Sequence, residues 1–170
     1  EVPDILEAFY PGQEGGHDIV NILTGTTNPS GKLPVTFPVR LEDTPAFINY
    51  PGGREVFYGE GIFVGYRYYD LKAIEPLFPF GAGLSYTTFE YGPIQHPARI
   101  KAGENLKVTV TIKNSGSQTG KEVVQVYISD LESTLPRPVK ELKGFAKVEL
   151  NPGETKTIDF LLNPRAFSYY

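Results

Sequence analysis

Glu14 stands inside the run Gly12-Gln13-Glu14-Gly15-Gly16-His17-Asp18. Glycines let backbone approach a ligand closely, so a carboxyl here could protonate a leaving oxygen or bind a hydroxyl. A structural reading competes: a carboxylate at a helix start is explained by free N–H groups and the positive end of the helix dipole. His17 follows Glu14 by three residues, a spacing that some metal sites use. One such pair without further ligands is a poor zinc signal, so neither a metal nor a cofactor is expected. Glu60, Arg67 and Asp70 form a second group. Carboxylates and guanidinium groups hydrogen-bond hydroxyls well, so these residues could line a sugar site; the competing expectation is an internal ion pair that holds its own loop. Tyr66, Tyr68 and Tyr69 could stack on a pyranose ring, although tyrosines more often fill an interface with the hydroxyl kept wet, and interface packing is the expectation. Glu14, Glu60 and Tyr66 are the candidate substrate-binding residues. No Gly-x-Ser-x-Gly elbow or phosphate-cradling loop is present.

These side chains sit in a chain of 170 residues, enough for one domain or two small ones. The net charge of −4 and the lack of a basic cluster argue against nucleic acid. Cysteine is absent, which excludes disulfide and thiolate–metal frameworks without fixing the compartment; secreted, periplasmic and cytoplasmic settings all stay open. No apolar run approaches the roughly 20 residues that span a bilayer, and no membrane partner is expected. Glu1-Val2-Pro3 lacks an initiator methionine and reads as a piece of a longer polypeptide.

The elements that must position the candidates follow from periodicity. Residues 3–9 are too short a window to decide between a helical turn and a strand. Ile19, Ile22 and Leu23 give an apolar face to a helix over about 15–24, and Gly25 suits its end. Asn28-Pro29-Ser30-Gly31 predicts a turn, and Leu33 to Pro38 a short proline-bracketed strand. Helix then strand suggests an α/β layer. Residues 39–54 read as a loop, with a turn at Tyr50-Pro51-Gly52-Gly53-Arg54. Val56 to Asp70, dense in aromatics and broken by glycines, reads as irregular extended structure. Pro76 to Gly81 is a further extended piece.

From about Tyr86 the pattern changes to period two. Strands are expected near Thr88–Tyr91 and over Leu106–Lys113, Glu122–Asp130, Phe145–Leu150 and Thr155–Leu162. Pro152-Gly153 between the last two suits a type II turn. Leu131 to Lys140 is a proline-containing loop, expected to be a solvated connection or to fold over a neighbouring domain. Five short strands indicate a sandwich lacking its last strands, since about seven are usual. The fold class expected from these elements is α/β plus all-β: an α/β layer, then an incomplete immunoglobulin-like β-sandwich.

Four motifs carry a resemblance. Phe9-Tyr10-Pro11-Gly12-Gln13-Glu14-Gly15-Gly16, Asn28 to Pro38, Tyr58 to Asp70, and Pro79 to Thr87 resemble, in the same order, segments of glycoside hydrolase family 3, the β-glucosidase family. Phe9 replaces the tryptophan usual in the first. The resemblance implies that residues 1–84 are the terminal part of an α/β sandwich domain and that 85–170 are a fibronectin-III/immunoglobulin-like β-sandwich lacking its last strands. The resemblance implies a retaining mechanism that removes terminal non-reducing β-D-glucosyl residues, with two carboxyl groups roughly 5–5.5 Å apart. It places the nucleophile Asp in a preceding barrel and the acid/base Glu upstream of the Gly-Gln-Glu-Gly-Gly loop, so no catalytic residue is assigned to this chain. The implied partners are the remainder of the same enzyme and a β-glucoside or oligosaccharide. Within the family, β-xylosidase, arabinosidase and N-acetylglucosaminidase are alternatives. A reading from another class is a non-catalytic carbohydrate-binding or adhesion module; the absence of tryptophan counts mildly against it.

Overall fold

The computed structural model describes residues 4–50 and 52–168. Pro3, Pro51 of the expected turn at 50–54, and the terminal Tyr169-Tyr170 lie outside them. Asp4 to Phe9 form no regular element.

Helix α1 spans Gly15–Leu23. Thr24 N–H donates to Val20 O at 2.9 Å and Gly25 N–H to Ile22 O at 3.0 Å, which closes its last turn. The expected apolar face is only partly covered. Ile19 and Ile22 are half-buried, but Leu23 remains 70% exposed. Among the described residues no layer lies over that side of the helix. Gly15 is buried against Pro11, and a Cβ at Gly15 would stand 2.5 Å from Pro11 Cγ.

The strand expected over Leu33–Pro38 is reduced to an isolated antiparallel bridge between Phe37 and Phe78. Around it, Leu33 N–H donates to Ala82 O and Gly81 N–H to Leu33 O, both at 2.8 Å. The two proline-bracketed pieces thus pair with each other. Prolines 34, 38, 76 and 79 remove the donors that a longer ladder would need. Residues 28–31 form no assigned turn; the side chain of Asn28 is spent on tertiary bonds instead.

The extended structure expected over 56–70 is also corrected. Tyr66–Lys72 is a helix, α2. Gly65, at φ 55°, turns the chain into it. Ala73, at φ 51°, closes it, with Ala73 N–H bonded to Asp70 O and Ile74 N–H to Tyr69 O. The segment between 39 and 54 is a loop carrying two short 3-10 turns, Leu41–Asp43 and Phe47–Asn49.

The second half is a sandwich of five described strands: β1 Phe89–Tyr91, β2 Leu106–Asn114, β3 Gly120–Ile128, β4 Glu141–Leu150 and β5 Thr155–Leu162. One sheet has the order β1-β2-β5 and the other pairs β3 with β4, all antiparallel. Alternate residues Val108, Val110 and Ile112 of β2 and Ile158, Phe160 and Leu162 of β5 face inward. They meet Val124 of β3 and Leu150 of β4, as period two requires. Strand β4 begins at Glu141 rather than Phe145, and the β3–β4 register shifts between Val126 and Tyr127. That bulge re-aims Tyr127 toward the first half of the chain. Gly153 has φ 77° and Glu154 N–H donates to Asn151 O at 2.9 Å, so the turn expected at Pro152-Gly153 is present. None of the described helices is long and apolar enough to cross a membrane.

Candidate functional site

The glycine loop leads directly into α1. Glu14 is the residue before the helix, but its side chain makes no capping hydrogen bond. Its Oε2 lies 2.9 Å from His17 Nδ1 instead, and the two side chains are 73% and 85% exposed. The pair is therefore free to accept from or donate to a ligand hydroxyl. Among the described residues no group of three His, Cys, Asp or Glu is placed to hold a metal.

The second candidate group lies on α2, where the helix meets the sandwich. The Tyr66 ring stacks on Phe80 with centroids 5.0 Å apart and meets Tyr127 edge-on at 5.8 Å. Its hydroxyl oxygen accepts from Leu142 N–H at 2.8 Å. Arg67 pairs with Glu141 at 3.3 Å, and Lys140 with Asp70 at 3.3 Å. The ion pair expected among Glu60, Arg67 and Asp70 does not form. Tyr66, Arg67 and Asp70 meet sandwich residues of opposite charge or free N–H, while Glu60 accepts from Asn49 Nδ2 at 3.5 Å. Tyr69 is buried and packs edge-on against Tyr68. The tyrosine cluster thus packs the seam, as expected.

A cleft of about 470 Å³ opens along this seam, lined in part by Thr36, Asp70, Glu75, Gln125, Tyr127 and Lys140. Burial, with Tyr66 and Asp70 nearby, pushes the Tyr127 hydroxyl above its ordinary value. It stays protonated and donates to Gln125 Oε1 at 2.6 Å. Asp70 Oδ2 and Thr36 Oγ1 are buried without a hydrogen bond, Asp70 being held by the Lys140 charge. These groups can bind hydroxyls.

Burial pushes the Glu141 carboxyl up. The hydrogen bond from Arg137 and the charges of Lys143, Arg137 and Arg67 outweigh that and leave it below the ordinary 4.5. A general acid needs the opposite shift. The consequence is for stability: a carboxyl with a depressed folded value stabilises above its unfolded value and loses that contribution as pH falls through the folded one. Glu141→Gln is therefore expected to destabilise the protein at pH 7, and the difference from the parent is expected to vanish as pH drops below about 4. Urea midpoints across pH check this; a pH-independent difference would contradict it.

Lys140, Glu141 and Leu142 are the seam partners that periodicity did not single out; Tyr127 lies on the second face that alternation gives β3. The sequence signal was the charged run after the proline loop, Lys140-Glu141-Leu142-Lys143, joined to a strand. The loop itself does reach the first half of the chain, through Lys140.

Comparison with known proteins agrees along the chain. Residues 1–86 match the model of the glycosyl hydrolase family 3 C-terminal domain, and residues 122–170 that of a fibronectin type III-like domain. Thermostable beta-glucosidase B of Acetivibrio thermocellus is 53% identical over 172 aligned residues, with 100% of this chain and 23% of that protein covered. The crystal structure of a Bifidobacterium adolescentis GH3 beta-glucosidase superposes with a TM-score of 0.91 at 43% identity, over 96% of this chain and 24% of that one. Beta-glucosidase 3B from Thermotoga neapolitana, solved in complex with glucose, gives 0.87 at 43% identity over 93% of this chain and 22% of that one. The chain thus spans about a quarter of the length of the relatives it matches.

Proposed function

We propose a function from the premise that this chain belongs to glycosyl hydrolase family 3: it is the C-terminal portion of a retaining β-glucosidase. It closes the α/β domain over residues 1–84 and adds a fibronectin-III-like sandwich over 85–170. The nucleophile Asp and the acid/base Glu come from polypeptide outside these residues, and the substrate is a terminal non-reducing β-D-glucosyl unit. The observation that carries this reading is the superposition of 96% of the chain on about a quarter of a GH3 beta-glucosidase. The many exposed large apolar side chains of the first half, Val20, Leu23, Val35 and Leu41 among them, support it, because apolar surface on that scale marks contact with another part of a protein.

Of the three residues expected to touch sugar, Glu14 is the one whose placement supports contact. It is exposed on a glycine loop and committed only to His17. Glu60 is engaged by Asn49, and Tyr66 by Phe80, Tyr127 and Leu142. Removing these 170 residues from the full-length enzyme tests the reading. Loss of aryl β-glucoside hydrolysis is the expected result, and full activity of the truncated enzyme would contradict it.

A further inference from the structure

Several bonds tie the C-terminal end of α1, and the chain after it, to the sandwich. Tyr86 Oη donates to Ile22 O in the last turn of α1 at 2.9 Å. Asn28 Oδ1 accepts from Ser85 Oγ at 2.8 Å and from Tyr86 N–H at 2.9 Å, while its Nδ2 donates to Thr119 O at 3.0 Å. Lys32 Nζ donates to Gly83 O at 2.7 Å and pairs with Glu122 Oε2 of β3 at 3.0 Å. Glu122 Oε1 accepts from Tyr91 Oη of β1 at 3.1 Å. The Lys32 and Glu122 side chains are only 16% and 13% exposed. Burial, then the Glu122 charge and bond, push the Tyr91 hydroxyl up, so it stays a donor.

Within this chain Val20 and Leu23 find no cover, so the bonds above are the ties that the described residues supply to that end of α1. At its other end α1 carries Glu14 and His17. A nine-residue helix is about 13 Å long, so a tilt of about 5° at one end shifts the other by about 1 Å. A displacement of that size matters for a positioned group.

We propose that the sandwich positions the glycine loop: Tyr86 and Asn28 hold the C-terminal end of α1, and the Lys32–Glu122–Tyr91 network anchors the chain that carries them. The mechanical part stands on these contacts; the effect on substrate rests on the function proposed above. Tyr86→Phe removes a single hydroxyl and keeps the ring. In the full-length protein it is expected to speed amide hydrogen exchange in α1 about fivefold, the size of one net hydrogen bond, with β2 and β5 unchanged. Lys32→Met is expected to loosen the same helix, and Lys32→Arg to restore its protection. KM for an aryl β-glucoside is expected to rise about fivefold in Tyr86→Phe, with kcat changed less. Unaltered exchange in α1 in both Tyr86→Phe and Lys32→Met would overturn the proposal. Faster exchange with an unchanged KM would uphold the coupling and count against placing the Glu14 loop at the substrate.

Discussion

Asn114→Ala is expected to destabilise the sandwich by about 3–5 kcal/mol, as several buried groups lose partners worth roughly 1–3 kcal/mol each. Asn114 ends β2 and is fully buried, at 0% exposure. Its Oδ1 accepts from Thr87 Oγ1 at 2.7 Å and from Gly116 N–H at 3.1 Å. Its Nδ2 donates to Gln118 O at 2.7 Å and to Leu150 O at 3.0 Å. One amide therefore joins the linker, both sheets and the β2–β3 connection. Alanine keeps the backbone pairing of β2 but strands Thr87 Oγ1 and Leu150 O, whose bonds to the amide are buried, while Gly116 N–H and Gln118 O are only part-buried. A urea titration reads the effect as a lower midpoint with an unchanged slope. A shift below about 1 kcal/mol would mean that the cavity fills with water that replaces the amide.

Glu122→Gln and Lys32→Met, each made alone, are expected to cost about 2–4 kcal/mol. Breaking a fully buried pair costs roughly 3–5 kcal/mol because it strands the surviving charge, and the slight exposure here lowers the figure. The exposed pairs Lys107–Asp159 and Lys121–Glu149, each with both side chains more than half exposed, serve as the control. Their loss is expected to cost under about 1 kcal/mol. Combining Lys32→Met with Glu122→Leu is expected to recover part of the single-variant loss, since no unpaired charge remains. Equal costs for the buried and the exposed pairs would contradict this account. Thermal or urea unfolding of the set decides it.

The elements legible in the sequence are those whose burial is decided locally. Strands β2 and β5 show period-two alternation with one face on a shared core, and the Pro152-Gly153 turn is fixed by the φ values its two residues favour. Helix α1 was readable for the same reason, through its own apolar spacing. The misses occur where tertiary partners decide. α2 was hidden because Tyr66, Tyr68 and Tyr69 are crowded beside Gly65, and its inward face is defined only by Phe80, Tyr127 and Leu142. Strand β4 extends beyond the alternation visible in the sequence because Gly144 and the register shift at Val126–Tyr127 interrupt it. The bridge of Phe37 with Phe78 joins residues about forty apart, which no local window sees. At the site, Glu14 was legible from its glycines, but its partner was not its own helix end. Arg67 and Asp70 were legible as charged residues with work to do; their partners Glu141 and Lys140 lie in the other half of the chain. The catalytic acids were placed elsewhere by resemblance to a family, not by geometry.

In the function proposed above, these residues support glycosidic chemistry carried out by polypeptide outside them. The direct measurement is aryl β-glucoside hydrolysis by the purified 170-residue chain, alone and after co-expression with the preceding part of the enzyme. No turnover is expected from the chain alone or from the preceding part alone, and turnover is expected when the two are together. Robust hydrolysis by this chain alone would contradict that function.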